Sequence, residues 1–160
     1  MSESNILSGK LINTIGRFCA SRERCEKEVI DKLNKLGVYD SNTLEQIINH
    51  LKEEGFVDNK RFARAFCIDK FRFNKWGRIK IVNMLKQYTL ESDIINYGLS
   101  CIDESEYIET IRSIIEKYTL IIKQKETDNF VINNKVINYL LNKGFEYEIV
   151  RNIIRTSYDK

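Results

Sequence analysis

Proline is absent from the 160 residues, and glycine occurs only seven times. The residue that most firmly interrupts a helix is therefore missing. Strand-type alternation of any length is missing too, while apolar residues recur at steps of three and four, so the chain is expected to be all-α. The cysteines Cys19, Cys25, Cys67 and Cys101 form no C-x-x-C pair, and the single histidine, His50, has no ligand set around it. Spacing thus supports no zinc site, and the cysteines read as reduced, mostly buried apolar groups. No run approaches the roughly 18–20 apolar residues of a membrane span, and the N-terminus lacks the apolar core of a signal peptide. These absences predict a soluble, cytoplasmic protein with no membrane partner.

Catalytic sets are lacking as well. Glycine-rich phosphate loops do not occur, so nucleotide hydrolysis is not expected. Asp58 reads as a helix cap rather than a general base. The expectation is a non-enzymatic protein with no cofactor and no metal.

What is present is unevenly placed charge. The net charge of +3 is modest, but Val57–Leu90 holds nine cations (Lys60, Arg61, Arg64, Lys70, Arg72, Lys75, Arg78, Lys80, Lys86) against Asp58 and Asp69. That stretch carries +7, so the remainder carries −4. Any contact with a polyanion or an acidic partner is expected here. Arg61, Arg64, Arg72 and Lys75 fall at i, i+3, i+11 and i+14, close to one helical stripe that Ile68 interrupts. The only tryptophan, Trp76, stands at the helix junction before Gly77 and reads either as a core anchor or as a stacking surface. Arg22 and Arg24, with Arg17 and Lys27, make a second, weaker basic group. Glu23 and Glu26 lie between them, which leaves a salt-laced face and a contact equally open.

The periodicity predicts nine helices. The first covers 6–20, with Ile6, Leu7, Leu11, Ile15 and Phe18 along one face. The second starts near Cys25 and ends at Gly37, and the third is capped by Asp40 with Tyr39 and Leu44 as a hydrophobic staple. Asp58 caps the fourth with Val57 facing Phe62, and Phe62, Phe66 and Phe73 share a face. Gly77 breaks the chain before a fifth helix, and further apolar stripes predict four more, with a polar loop over 123–129. The segments 29–38, 81–90 and 136–145 align on Leu33, Leu85 and Leu140, spaced by 52 and 55 residues. A period near 50 residues predicts three tandem three-helix repeats forming an elongated, curved array. Their expected bounds are 1–56, 57–102 (the basic unit) and 103–160.

Within this frame, GFVDNKRFARAF (55–66) followed by KWGRIKIVNMLKQ (75–87) resembles the signature of the RecX family, bacterial regulators of the RecA recombinase. RERCEKEVIDKL (22–33) resembles the family's first-unit helix and LLNKGFEYEIVRNII (140–154) its last. Four residues depart from the family pattern. Asn59 replaces a second acid, Arg78 stands where proline is usual, and Thr89 replaces a glycine. Cys25 takes the place of a capping serine, which is expected to leave Glu28 without its capping-box partner.

The resemblance implies a regulator in homologous recombination, DNA repair and the SOS response. It would bind the RecA–DNA filament as a monomer, with sequence-independent phosphate contacts, and restrain it, lowering ATPase, strand exchange and co-protease activity. Arg61, Arg64, Arg72, Lys75, Arg78 and Lys80 would be the cationic contacts, Trp76 would pack or stack beside them, and Arg22 and Arg24 would contribute at the edge. The alternative is a general DNA- or RNA-binding helical module with no recombinase target. A third reading is an adaptor scaffold.

Overall fold

The computed structural model describes residues 3–158, with side chains for residues 9–157. These residues form nine α-helices and no strand: α1 (Glu3–Ala20), α2 (Glu26–Lys35), α3 (Ser41–Glu53), α4 (Asn59–Asn74), α5 (Arg78–Leu85), α6 (Ser92–Ser100), α7 (Glu104–Lys123), α8 (Asn129–Asn142) and α9 (Tyr147–Tyr158). A 3-10 turn, Lys86–Tyr88, extends α5. The side chains of Ile6 and Leu7 lie outside the described residues.

Aspartates start several of the helices by accepting amide hydrogens that have no partner within the helix. Asp40 accepts from Thr43 N–H at 2.8 Å, Asp58 from Arg61 N–H at 3.0 Å, Asp103 from Glu106 N–H at 2.8 Å and Asp128 from Phe130 N–H at 2.8 Å. The staples expected beside the first two caps are weaker than the caps. Tyr39 is 73% exposed. Val57 and Phe62 are both buried but belong to different apolar clusters, so that pair straddles a boundary.

Apolar faces sort the helices into three tandem three-helix units. Two clusters serve the three units. Ile15, Cys19, Val29, Leu33, Ile48, Leu51 and Val57 close the first unit on itself. The second cluster runs without interruption from Phe62, Phe71, Ile81 and Leu85 through Tyr107 and Ile111 to Leu140, Phe145 and Val150. Phe71, Tyr107 and Phe145 form its central ladder, with successive ring centroids 5.4 Å apart. Phe73, expected on the apolar face, is instead 82% exposed, and Phe71 takes the core place. The cause is a change of partner along α4, whose second half turns toward Tyr107 of α7. Total accessible surface is 10530 Å², against about 8,300 Å² for a compact monomer of this mass. The array is elongated.

The joint between middle and third units is a backbone contact. Gly77, read from sequence as a chain breaker, has an ordinary φ of −77°, and the helix reversal occurs at Lys75, whose φ is +55°. What requires glycine at 77 is space, because a Cβ there would lie 2.2 Å from the carbonyl of Gly144. Gly77 N–H donates to Lys143 O at 2.8 Å and Ile79 N–H to Gly144 O at 3.0 Å. The first amides of α5 thus satisfy the last carbonyls of α8.

The joint between first and middle units surrounds buried Cys25, which belongs to the larger cluster, with polar contacts, and two departures from the family pattern meet there. Glu28, expected to lack its capping-box partner, has the box present on both sides. Cys25 N–H donates to Glu28 at 3.4 Å, and the Cys25 side chain faces the Glu28 amide, because a thiol can stand, weakly, where a serine hydroxyl would. Asn59 supplies the better acceptor from across the joint, where its Oδ1 takes Glu26 N–H at 3.0 Å and its Nδ2 donates to Glu26 Oε1 at 3.3 Å. An aspartate at 59 would accept the same amide but repel the Glu26 carboxylate.

Thr89 holds a left-handed conformation with φ +52°, which costs a β-branched residue more than glycine. Thr89→Gly is expected to stabilise the fold by about 0.5–1 kcal/mol in urea denaturation. An unchanged or lower midpoint would show that the strain is relieved by contacts of the threonine.

Candidate nucleic-acid and partner interface

Helical geometry sets Arg61, Arg64 and Arg72 of α4 within an arc of about 80°, and Lys75 follows as the left-handed residue that caps its end. All four side chains are exposed, and buried Phe71 borders the stripe on the Arg64 side. The stripe read from sequence therefore exists as a surface, but its members differ in what they touch. Arg61 Nε donates to both oxygens of Glu23, at 3.1 and 3.0 Å, and its NH2 group donates to Gly55 O at 2.9 Å. Arg72 grips Glu106 in a two-point pair, 2.9 Å at each contact. That hydrogen bond holds the Glu106 carboxyl below the usual carboxylate range and raises the Arg72 guanidinium. Arg64 and Lys75 have no ion pair among the described residues.

Arg78 lies off this surface. Its guanidinium stacks 3.9 Å from the Tyr107 ring centroid and pairs with Glu104 and with Glu146, the latter at 3.4 Å. Its backbone N–H donates to the Tyr107 hydroxyl at 3.1 Å, and that hydroxyl donates to Glu146. Burial pushes the Tyr107 hydroxyl well above its ordinary range, and the bond to Glu146 adds to the effect. A proline at 78 would supply neither the donor nor the stacked cation. The geometry makes Arg78 a strut between the middle and third units, in place of the free cation expected from sequence.

Trp76 is half-buried and packs against the large core cluster. Two ammonium groups lie over its ring, Lys80 Nζ at 4.6 Å from the centroid and Lys70 Nζ at 5.3 Å. The Lys70 contact was not foreseen, because on a continuous helix positions 70 and 76 point apart. The left-handed turn at Lys75 brings them together. Near the first joint, Phe62, Phe66 and Tyr88 form an edge-on aromatic group flooring a cleft of ≈ 440 Å³ rimmed by Arg22 and Lys70.

In the second basic group, Arg22 and Arg24 are engaged within the fold, while Arg17 is exposed. Arg24 is only 13% exposed and is held by Glu28, by Phe18 O at 3.1 Å and over the Phe18 ring. Arg22 pairs with Glu28 and donates to Glu23 O at 3.0 Å. The carboxylates that hold these cations, Glu23, Glu28, Glu104, Glu106 and Glu146, were not legible as site residues. Glu23 and Glu106 lie 38 and 34 positions from their arginines, beyond any local pattern. Among the described residues no cluster of His, Cys, Asp and Glu could hold a metal ion, and no helix is long and apolar enough to cross a membrane.

Residues 58–99 match a family model described as RecX, second three-helix domain. The regulatory protein RecX of Clostridium botulinum (strain Eklund 17B / Type B) is 34% identical over 132 residues, covering 82% of this chain and 61% of that protein. That of Clostridium perfringens (strain 13 / Type A) is 31% identical over 146 residues, covering 91% and 68%. This chain therefore spans roughly two thirds of the length of the curated relatives it matches. The crystal structure of RecX from Lactobacillus salivarius superposes with a TM-score of 0.85 at 24% identity, covering 96% of this chain and 97% of that one. A second crystal structure, of regulatory protein RecX, gives 0.78 at 17% identity, covering 97% and 80%.

Proposed function

The chain belongs to the RecX family, and from that premise we propose that it regulates a RecA-type recombinase by lying on the recombinase–DNA filament and restraining it. The observation that carries this reading is the exposed stripe along α4 and its cap, in the middle of an elongated array. Arg64 and Lys75 make no ion pair there among the described residues, Lys75 being drawn only at longer range by Glu106. Two such cations on one face suit the phosphates of a nucleic-acid strand or an acidic protein surface. A curved array can touch both along its length. On this reading the units of residues 1–56, 57–102 and 103–160 follow the filament as successive segments, and the protein acts in the cytoplasm as a monomer. Its role is inhibitory and needs no catalysis of its own.

Because Arg78 and Arg24 are engaged in the fold, the contact set narrows to Arg64 and Lys75, with Lys80 and Trp76 at its edge. DNA-stimulated ATP hydrolysis by the recombinase, measured with and without this protein, tests the proposal. Stoichiometric protein is expected to lower the rate. Arg64→Glu and Lys75→Glu should each weaken that inhibition roughly tenfold, the size of one lost charge-assisted contact. Unaltered hydrolysis at stoichiometric protein would sink the regulatory reading. Tight, salt-steep binding to bare DNA that recombinase does not change would favour the general nucleic-acid module instead.

A further inference from the structure

The stripe presents two cations that make no ion pair among the described residues and two that are occupied, and the two kinds alternate along it. Arg61, near the start of α4, holds Glu23 of the α1–α2 loop, and Arg72, near the end, holds Glu106 of α7. Each arginine lies three residues before or after a position on the same stripe: Arg64 follows Arg61, and Lys75 follows Arg72. All four cations are solvent-exposed and both carboxylates are partly so. Glu106 meets two N–H groups of the Arg72 fork, as a phosphate would, and Glu23 takes the Nε–H of Arg61 with both oxygens. Each carboxylate therefore occupies a place that a phosphate oxygen could take.

We propose that Arg61 and Arg72 are latent phosphate contacts, held by Glu23 and Glu106 in the free protein and handed over when a nucleic-acid strand docks on Arg64 and Lys75. The inference rests on the stripe meeting a phosphate polymer, as proposed above, and adds what the surface keeps in reserve. Exchange is feasible because exposed ion pairs are weak and solvent-screened, and because neither glutamate is needed to keep its joint. The backbone bonds from Gly77 and Ile79 to the third unit persist when Arg72 lets go, and the Asn59–Glu26 bonds persist when Arg61 does. The released carboxylates would then stand beside the docked phosphates and repel them, so each glutamate sets a threshold. A sparse polyanion is held by two contacts, whereas a dense, continuous one recruits four.

Binding of a labelled thymidine oligonucleotide, followed by fluorescence anisotropy at low salt, tests this by double-mutant cycles. Glu106→Gln in the otherwise unaltered protein is expected to tighten binding about twofold to fivefold, the strength of one exposed pair returned. The gain should be smaller in an Arg72→Gln background, where removing Glu106 relieves only its repulsion of the phosphates and its pull on Lys75. Glu23→Gln should behave likewise against Arg61→Gln. Glu45→Gln, at an exposed site on α3 away from the stripe, reports the effect of removing one negative charge anywhere. If Glu106→Gln and Glu23→Gln tighten binding equally with and without their arginines, the glutamates act only through net charge and the hand-over is wrong, while the stripe remains a binding surface. If Arg64→Gln and Lys75→Gln also leave binding unchanged, the stripe is not a polyanion surface and both readings fall.

Discussion

Gly77→Ala is expected to cost about 3–5 kcal/mol of stability, the sum of a steric clash and two broken backbone hydrogen bonds. The added Cβ would lie 2.2 Å from the carbonyl carbon and oxygen of Gly144 and from the amide nitrogen of Phe145. All three are backbone atoms, so no rotamer change relieves the overlap. Relief comes only by parting α5 from the end of α8, which gives up the bonds from Gly77 and Ile79 and draws Phe145 from Tyr107. Gly144→Ala should be at least as severe, because its Cβ would meet Lys80 Cβ at 2.4 Å and its φ of +89° disfavours any side chain. Gly16→Ala, on α1 where a Cβ meets nothing within 4 Å, should instead stabilise by about 0.5–1 kcal/mol. Urea denaturation followed by circular dichroism distinguishes these, and a Gly77→Ala midpoint close to that of the unaltered protein would refute the backbone joint.

The second large effect is alkaline. Burial pushes the Cys67 thiol up to about 12 from an ordinary value of 9.0, and burial raises Tyr107 above its ordinary 10.0. Both groups are neutral when protonated, so the folded state retains protons that the unfolded state releases. Stability is therefore full below pH 9 and falls as pH rises through the interval between unfolded and folded values. The slope is about 1.4 kcal/mol per pH unit for each group in its interval. Cys67 acts from about pH 9 and Tyr107 from about pH 10, which together remove roughly 4 kcal/mol by pH 11. Cys19, Cys25 and Tyr88, raised by burial as well, steepen the fall. Cys67→Ala should start less stable yet lose less between pH 8.5 and 10.5. Parallel losses in the two proteins would remove Cys67 as a cause.

Most helix boundaries were legible because they are local. Asp40 and Asp58 cap residues three positions on, and Gly37 and Gly144 end helices within their own turns, so a short window of sequence contains the whole interaction. The same holds for the α4 stripe, which is a matter of spacing along one helix. What escaped reading is the set of contacts that join distant windows. Gly77 and Gly144 looked like two separate breaks, when each is small because of the other. Arg61, Arg72 and Arg78 counted as free charge, when each faces a glutamate brought near only by folding. Phe73 and Phe71 are two residues apart, and periodicity alone does not say which one the third unit covers. The excess of positive charge between Val57 and Leu90 thus overstated the free surface, since much of it balances acids placed in the neighbouring units.

The two joints differ in kind, and that difference sets what the protein can measure. Arg61 and Arg72 are eleven residues apart on one unbroken helix, a span of about 16 Å, and the Phe71–Tyr107 contact holds the second half of that helix against the third unit. This part behaves as a gauge whose spacing no side chain can adjust. The first unit keeps its own apolar cluster and meets its neighbour around buried Cys25 and through the Asn59–Glu26 and Arg61–Glu23 bonds. A partner whose anionic groups repeat at a different pitch cannot be met by bending α4, so it is expected to engage fewer of the stripe's cations.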